Sequence, residues 1–186
     1  MVFFSSDIHL SHRNILTYSN RPFSSIEEMD KAIYTNFHSV IKEGDTLWLL
    51  GDISFDKDVT KNFIESFLRR NIEVNIVKGN HDKFTKAEFH ALGCRVVENL
   101  CEVKWNKRKI TLCHYLMGTY NHSHKNSWHL YGHTHIGMFV EPRLKQGKKL
   151  NVNVEFHNYF PWSYDEVEQY MNKAGDNWDY IPESRY

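Results

Sequence analysis

The chain has 186 residues, 41% of them hydrophobic and 25% charged, a composition that fits one globular domain over residues 1–186. Lysine plus arginine number 23 and aspartate plus glutamate 23, which excludes a polybasic nucleic-acid binder or an acidic tail. The 12 histidines and the 15% aromatic content stand out, because imidazole near neutral pH serves both as metal ligand and as proton carrier.

Val2-Phe3-Phe4-Ser5-Ser6 is short, apolar and β-favouring, and reads as a buried strand that delivers Asp7-Ile8-His9 at its carboxyl end. Ser25 with Glu28 has the form of a capping box, after which Ile26, Met29, Ile33, Phe37 and Val40 recur at helical spacing. Gly44-Asp45 breaks the chain before a second apolar strand at 46–50. A helix is expected over 59–70, burying Phe63, Ile64, Phe67 and Leu68, and a third strand over 72–77. Strands and helices alternate, which implies a largely parallel sheet. From Arg95 the texture changes. Residues 95–105 and 109–113 read as strands joined by the turn Asn106-Lys107-Arg108, and 128–131 and 150–155 as two more. Pro142 and Gly147 mark a loop, and Ser163 with Glu166 starts a C-terminal helix. The fold class is α/β, with a parallel first half and an antiparallel second half.

The three cysteines, Cys94, Cys101 and Cys113, are odd in number and never spaced C-x-x-C, which argues against a disulfide framework and a thiolate zinc knuckle. No run approaches the roughly 20 apolar residues that cross a bilayer. Residues 1–7 lack the basic and long apolar regions of a secretory signal, so a cytoplasmic location without membrane contact is expected.

Each apolar strand ends in a polar cluster, and in open α/β sheets the carboxyl ends of strands are where sites assemble. The clusters are Asp7-Ile8-His9, Gly51-Asp52, Gly79-Asn80-His81-Asp82, His114, and Gly132-His133-Thr134-His135. Asp7 and His9, like His133 and His135, lie two apart, which on an extended backbone puts each pair on one face. Two such pincers suit two cations sharing a carboxylate better than a single cation. Glycines before Asp52, Asn80 and His133 allow close backbone approach. Carboxylate, imidazole and amide donors without thiolate suit manganese, iron, cobalt, nickel or zinc. A pair of cations about 3.5–4 Å apart is the clamp of phosphoryl-transfer hydrolysis. Taken singly, a Gly-Asp or an Asp-x-His marks a solvated turn. The order of the clusters and their position after strands carry the reading.

In this order the motifs D-x-H, G-D, G-N-H-[DE], H and G-H-x-H, from Asp7 to His135, resemble the signature of the calcineurin-like metallophosphoesterases over about two-thirds of the chain. The stretches SSDIHLSHRNILTYSNRPFSS and LNVNVEFHNYFPWSYDEV further resemble a small bacterial and phage subfamily of phosphoesterases. Leu116 departs from that subfamily, where proline usually follows the histidine-tyrosine pair. The resemblance implies a double β-sheet sandwich flanked by helices, in αββα order. It also implies that Asp7, His9 and His135 hold one divalent cation, that Asn80, His114 and His133 hold another, and that Asp52 bridges both. Manganese is the first expectation for the pair. His81 would approach the phosphate and the leaving oxygen without binding metal, with Asp82 orienting its ring.

His12, Arg13 and Asn14 follow the first pincer and are candidate substrate-binding residues, Arg13 as a bidentate phosphate partner; the alternative is a solvated loop or helix cap. His124 is a fourth candidate, set against a polar loop. Tyr18, Phe55, Tyr120, Trp128 and Tyr131 lie near ligand segments and either stack a nucleobase or pack the core. The expected activity is hydrolysis of a small phosphoester, a diester ahead of a monoester, by in-line attack of a hydroxide shared by two cations. Nucleotides and cyclic nucleotides are among the candidate substrates. Long nucleic acid is a less favoured partner, given the neutral charge. The alternatives are a phosphomonoesterase, a metal-dependent nuclease, and a non-catalytic metal-binding scaffold.

Overall fold

The structure, a computed structural model, describes residues 1–182; the end of the expected domain at residue 186 lies outside them. In chain order the elements are β1 (Val2–Ser5), α1 (Ile15–Tyr18), α2 (Ile26–Val40), β2 (Thr46–Leu49), α3 (Lys57–Leu68), β3 (Glu73–Val77), α4 (Lys86–Leu92) and β4 (Val97–Glu98). There follow β5 (Leu100–Trp105), β6 (Arg108–Cys113), β7 (Trp128–Tyr131), α5 (Pro142–Lys145), β8 (Lys149–Asn151), β9 (Trp162–Ser163) and α6 (Tyr164–Lys173).

β1, β2 and β3 pair in parallel, with Phe3 opposite Leu47 and Leu47 opposite Val74. Alternate side chains of a strand point to opposite faces. Phe3, Leu47, Leu49, Val74 and Ile76 accordingly join Met29, Ile33 and Phe37 of α2 and Phe63 and Phe67 of α3 in one buried cluster. Val2, Phe4, Trp48 and Val77 turn the other way, into a second cluster with Ile110, Leu112, Leu130, Leu150 and, from α6, Val167 and Met171. Burial on both faces is why these strands read as near-continuous apolar runs. The two sheets have the orders β4-β3-β2-β1-β9 and β5-β6-β7-β8. The fold is therefore mixed α/β, with two sheets flanked by helices. Among the described residues no helix is long and apolar enough to cross a membrane.

Several local expectations change. Residues 95–105 do not form one strand: Val97 pairs with Ile76 in the first sheet, and after Asn99 the chain crosses so that Leu100 pairs with Cys113 in the second. The second sheet is mixed rather than antiparallel, since β6, β7 and β8 run parallel to one another. β9 in turn runs antiparallel to β1. Ser25 Oγ accepts the Glu28 amide, but Glu28 Oε2 reaches back to Ser24, so the box before α2 is offset by one residue. α3 starts at Lys57 because the Asp56 carboxylate accepts the amides of Asp58 and Val59. α4 was not anticipated, although Thr85 and Glu88 form a reciprocal capping box ahead of it. The strand expected over 150–155 stops at Asn151, where the Asn153 side chain accepts the Glu155 amide and starts a 3-10 turn.

The sheets are stitched together at one edge, where Ser6 bridges to Asn153, its amide donating to the Val152 carbonyl and its carbonyl accepting the Val154 amide. The segments leaving β1, β2, β3, β6 and β7 all emerge at that seam.

Candidate metal centre

Two groups of donors converge there. Asp7, His9 and His135 present ligand atoms within 4.8 Å of one another, and so do Asp52, His114 and His133. His135 Nε2 lies 3.7 Å from Asp7 Oδ1 in the first group. In the second, His114 Nε2 lies 3.4 Å from Asp52 Oδ2 and 3.1 Å from Asn80 Oδ1. The groups meet at Asp52, because the same Oδ2 is also 3.8 Å from His9 Nε2.

The backbone that achieves this is not the extended pincer expected from the spacing. Asp7, His9, Asp52 and His133 stand at φ 53°, 54°, 57° and 66°, in the left-handed region that side chains other than glycine seldom occupy. Each such residue is strained by roughly 1–3 kcal/mol and persists only where its surroundings hold it. The surroundings are specific. The His133 amide donates to Asp7 Oδ1 and Oδ2 at 3.0 and 2.9 Å, and the His81 amide donates to Asp52 Oδ1 at 2.9 Å. A Cβ at Gly79 would collide with the Asp52 carboxylate, and one at Gly132 with that of Asp7. These two glycines let the loops close over the acids.

Outer partners fix which nitrogen of each imidazole faces the cluster. His114 Nδ1 is 2.7 Å from the Leu50 carbonyl, and His135 Nδ1 is 2.7 Å from Glu155 Oε1. Both Nε2 atoms are thus turned toward the carboxylates, the orientation metal-binding histidines generally show. Glu155 in turn pairs with Arg21 at 2.9 Å, both side chains being 0% exposed. Arg21 also donates to the carbonyls of Asp7 at 2.7 Å and Ile8 at 2.8 Å. Sequence reasoning missed Arg21 and Glu155. They lie 134 residues apart and no local pattern links them.

The electrostatics suit cations. Burial raises the Asp52 carboxyl, yet the hydrogen bond and charge of His114 outweigh it and hold the group down at about 2. Burial lowers His114, but the bond and charge of Asp52 together with the charge of Asp7 lift its imidazole to about 9. At His9 burial dominates and the nearby Arg21 charge adds to it, so the imidazole is pushed down to about 2. Both His9 ring nitrogens are buried without a hydrogen-bond partner among the described residues. A neutral, buried, unpartnered imidazole beside two carboxylates is what a divalent cation requires of a ligand.

Other expected site residues are distributed unevenly. His81 lines a cavity of about 420 Å³ next to the first group, together with His12 and Asn14. Asp82 does not orient the His81 ring. Its carboxylate accepts the amides of Gly79, Asp52 and Ile53 at 2.8, 3.1 and 3.1 Å, and so clasps the two ligand loops together. Arg13 is not brought to the cavity: its guanidinium faces Glu27 at 3.5 Å with the side chain 72% exposed. His124 is also elsewhere, in a 3-10 turn over Ser123–Lys125, where its carbonyl accepts the Ile181 amide. Trp128, Tyr131 and Tyr120 are buried, which leaves Tyr18 and Phe55 as the aromatic walls of the cavity.

These features have close counterparts in known proteins. The chain belongs to the calcineurin-like phosphoesterase superfamily, whose domain model matches residues 1–154. That family implies divalent metal ions and hydrolysis of phosphoric esters, and the two donor groups are the candidate ligands for such ions. An uncharacterised protein of Methanocaldococcus jannaschii is 33% identical over 178 residues, covering 93% of this chain and 92% of its own length. The gene 66 protein of Mycobacterium phage L5 is 33% identical over 82 residues, 42% of this chain and 38% of its own. A solved protein of unknown function from Aquifex aeolicus shares the fold with a TM-score of 0.67 at 24% identity, covering 91% of this chain and 98% of that one.

Proposed function

We propose that the protein is a two-metal phosphoesterase that prefers small phosphodiesters. The observation that carries this reading is the Asp52 Oδ2 atom, which faces His9 of one donor group and His114 of the other at 3.8 and 3.4 Å. A carboxylate so placed is suited to bridging two cations, with Asp7, His9 and His135 completing one site and Asn80, His114 and His133 the other. Bound there, divalent cations supply charge neutralisation for phosphate oxygens and a water acidified towards neutrality. Oxygen and imidazole donors without thiolate favour manganese, with iron, cobalt, nickel and zinc as competitors.

The residues of the chain do the rest. The Arg21–Glu155 pair keeps His135 Nε2 turned toward the cluster, and the Asp82 clasp keeps Asn80 and His81 in register with Asp52. His81 stands on the cavity wall, its ring centroid 5.9 Å from that of His9 and 4.5 Å from that of Phe55. From there it donates a proton to the departing alkoxide oxygen. Among the described residues the cavity lining contains histidines, Asn14, Ser19 and apolar groups but no lysine or arginine, which suits the single charge of a diester better than the dianion of a monoester.

The test is turnover of bis(p-nitrophenyl) phosphate against p-nitrophenyl phosphate by manganese-loaded protein, with metal content measured in parallel. Two equivalents and faster diester hydrolysis are expected. His81→Ala should keep both equivalents while losing roughly 10²–10⁴-fold in turnover, the usual worth of a general acid. A non-catalytic scaffold would bind metal and hydrolyse neither ester, and a nuclease would cleave single-stranded DNA or RNA faster than either.

A further inference from the structure

We propose that the cavity beside the donor cluster holds a planar aromatic group carried on the substrate's ester, of nucleobase or aryl type, against Tyr18, Phe55 and Met138. This rests on the phosphoesterase reading and names the substrate class for that site. The cavity, about 420 Å³, opens directly onto His9, His81 and His135, so a phosphoester reaching the cluster must direct a substituent into it or past it. Binding clefts for small molecules are typically about 300–1,000 Å³, so a single ring system fits.

The chemistry of the walls selects the occupant. Rings step from the rim to the cluster: Tyr18 lies edge-on to His12 at 6.3 Å, His12 edge-on to Phe55 at 4.5 Å, and Phe55 is 4.5 Å from His81. Tyr18 is 72% exposed on the four-residue α1, an aromatic ring that the core does not use. Met138 is 47% exposed on the opposite lip, its Sδ accepting the His135 amide at 3.3 Å, and a polarizable thioether beside aromatic walls suits a π-face. Asn14 makes no capping bond to α1, so its amide is available to a ring nitrogen or carbonyl. Among the described residues no lysine, arginine or carboxylate side chain lines the space, so it does not suit a second phosphate or a sugar acid. Stacking on aromatic side chains tolerates any base, since each offers a π-face.

The experiment has a binding arm and a turnover arm. Titration calorimetry on manganese-loaded protein compares phenylphosphonate with methylphosphonate. The turnover arm compares thymidine 5′-methyl phosphate with dimethyl phosphate, read as methanol released, so that only the first ester carries a ring. Phenylphosphonate should bind at least tenfold more tightly, and the nucleoside ester should have a kcat/KM at least tenfold higher. Tyr18→Ala and Met138→Ala should each shrink both ratios severalfold at unchanged metal content. Equal binding of the two phosphonates, no measurable binding of either, or a preference that survives both substitutions overturns the proposal. A phenylphosphonate preference in a protein that hydrolyses neither ester supports the pocket and removes the phosphoesterase reading instead.

Discussion

The two donor groups reach similar geometries by different means. His135 of the first is held through a side-chain chain, in which Glu155 accepts from its Nδ1 and Arg21 neutralises Glu155 inside the protein. His114 of the second is held by the backbone, through the carbonyl of Leu50. That carbonyl is fixed by the backbone just past β2, where the Leu50 amide donates to the Ser5 carbonyl, whereas a buried ion pair is stable only while both partners are present. The first group should therefore be fragile to distant substitutions and the second resistant.

The largest expected effect removes the contrast altogether. Asp52→Asn takes charge from the residue both groups face, so metal content should fall at both sites and affinity by more than the roughly 10–100-fold usual for an outer partner. Loss of a single equivalent by elemental analysis would mean that Asp52 serves one site only. Next comes Arg21→Met, which strands the Glu155 carboxylate in the interior and should cost about 3–5 kcal/mol in denaturant unfolding. Glu155→Gln keeps the shape without the charge, and should weaken one of two metal-binding steps by roughly 10–100-fold while sparing the other. Equal weakening of both steps would erase the distinction between the groups.

The smallest effect concerns pH. In the metal-free protein the His114 imidazole is raised to about 9, above the ordinary value near 6.5. The stabilisation it gains from Asp52 is thus fully present below about 6.5 and fades as pH passes through about 9. A cation must displace that proton, so affinity at the second group should rise about tenfold per pH unit between 7 and 8, with proton release seen by calorimetry in two buffers. His9 of the first group is held neutral, at about 2, so that ligand releases no proton when a cation binds.

Much of this was visible in the sequence for a physical reason. Strands buried on both faces leave apolar runs such as Thr46-Leu47-Trp48-Leu49-Leu50, and a polar residue straight after such a run is conspicuous. The convergence of Asp7, His9, Asp52, Asn80, His114, His133 and His135 followed from that pattern. Their backbone did not, because spacing by two suggested an extended chain and nothing at Asp7 or His9 announces a left-handed turn. Within 95–105 the polar pair Glu98-Asn99 separates Val96-Val97 from Leu100-Cys101, a break too short to show by itself that one run serves two sheets. Thr85-x-x-Glu88 is a local signal for α4, borne by only seven helical residues with one buried side chain, Phe89. Arg21 and Glu155 lie within the two stretches that resemble the subfamily, but nothing in either stretch shows that the two residues pair across 134 positions.

The return of β9 to the edge of β1 has a consequence for synthesis. β1 is made first, yet Phe3 and Phe4 pair with Ser163 and Trp162, which leave the ribosome some 160 residues later. Until then an apolar strand has one open side, a template for pairing between nascent chains. A stalled or truncated product ending before residue 162 should be the species that chaperones capture and that aggregates first.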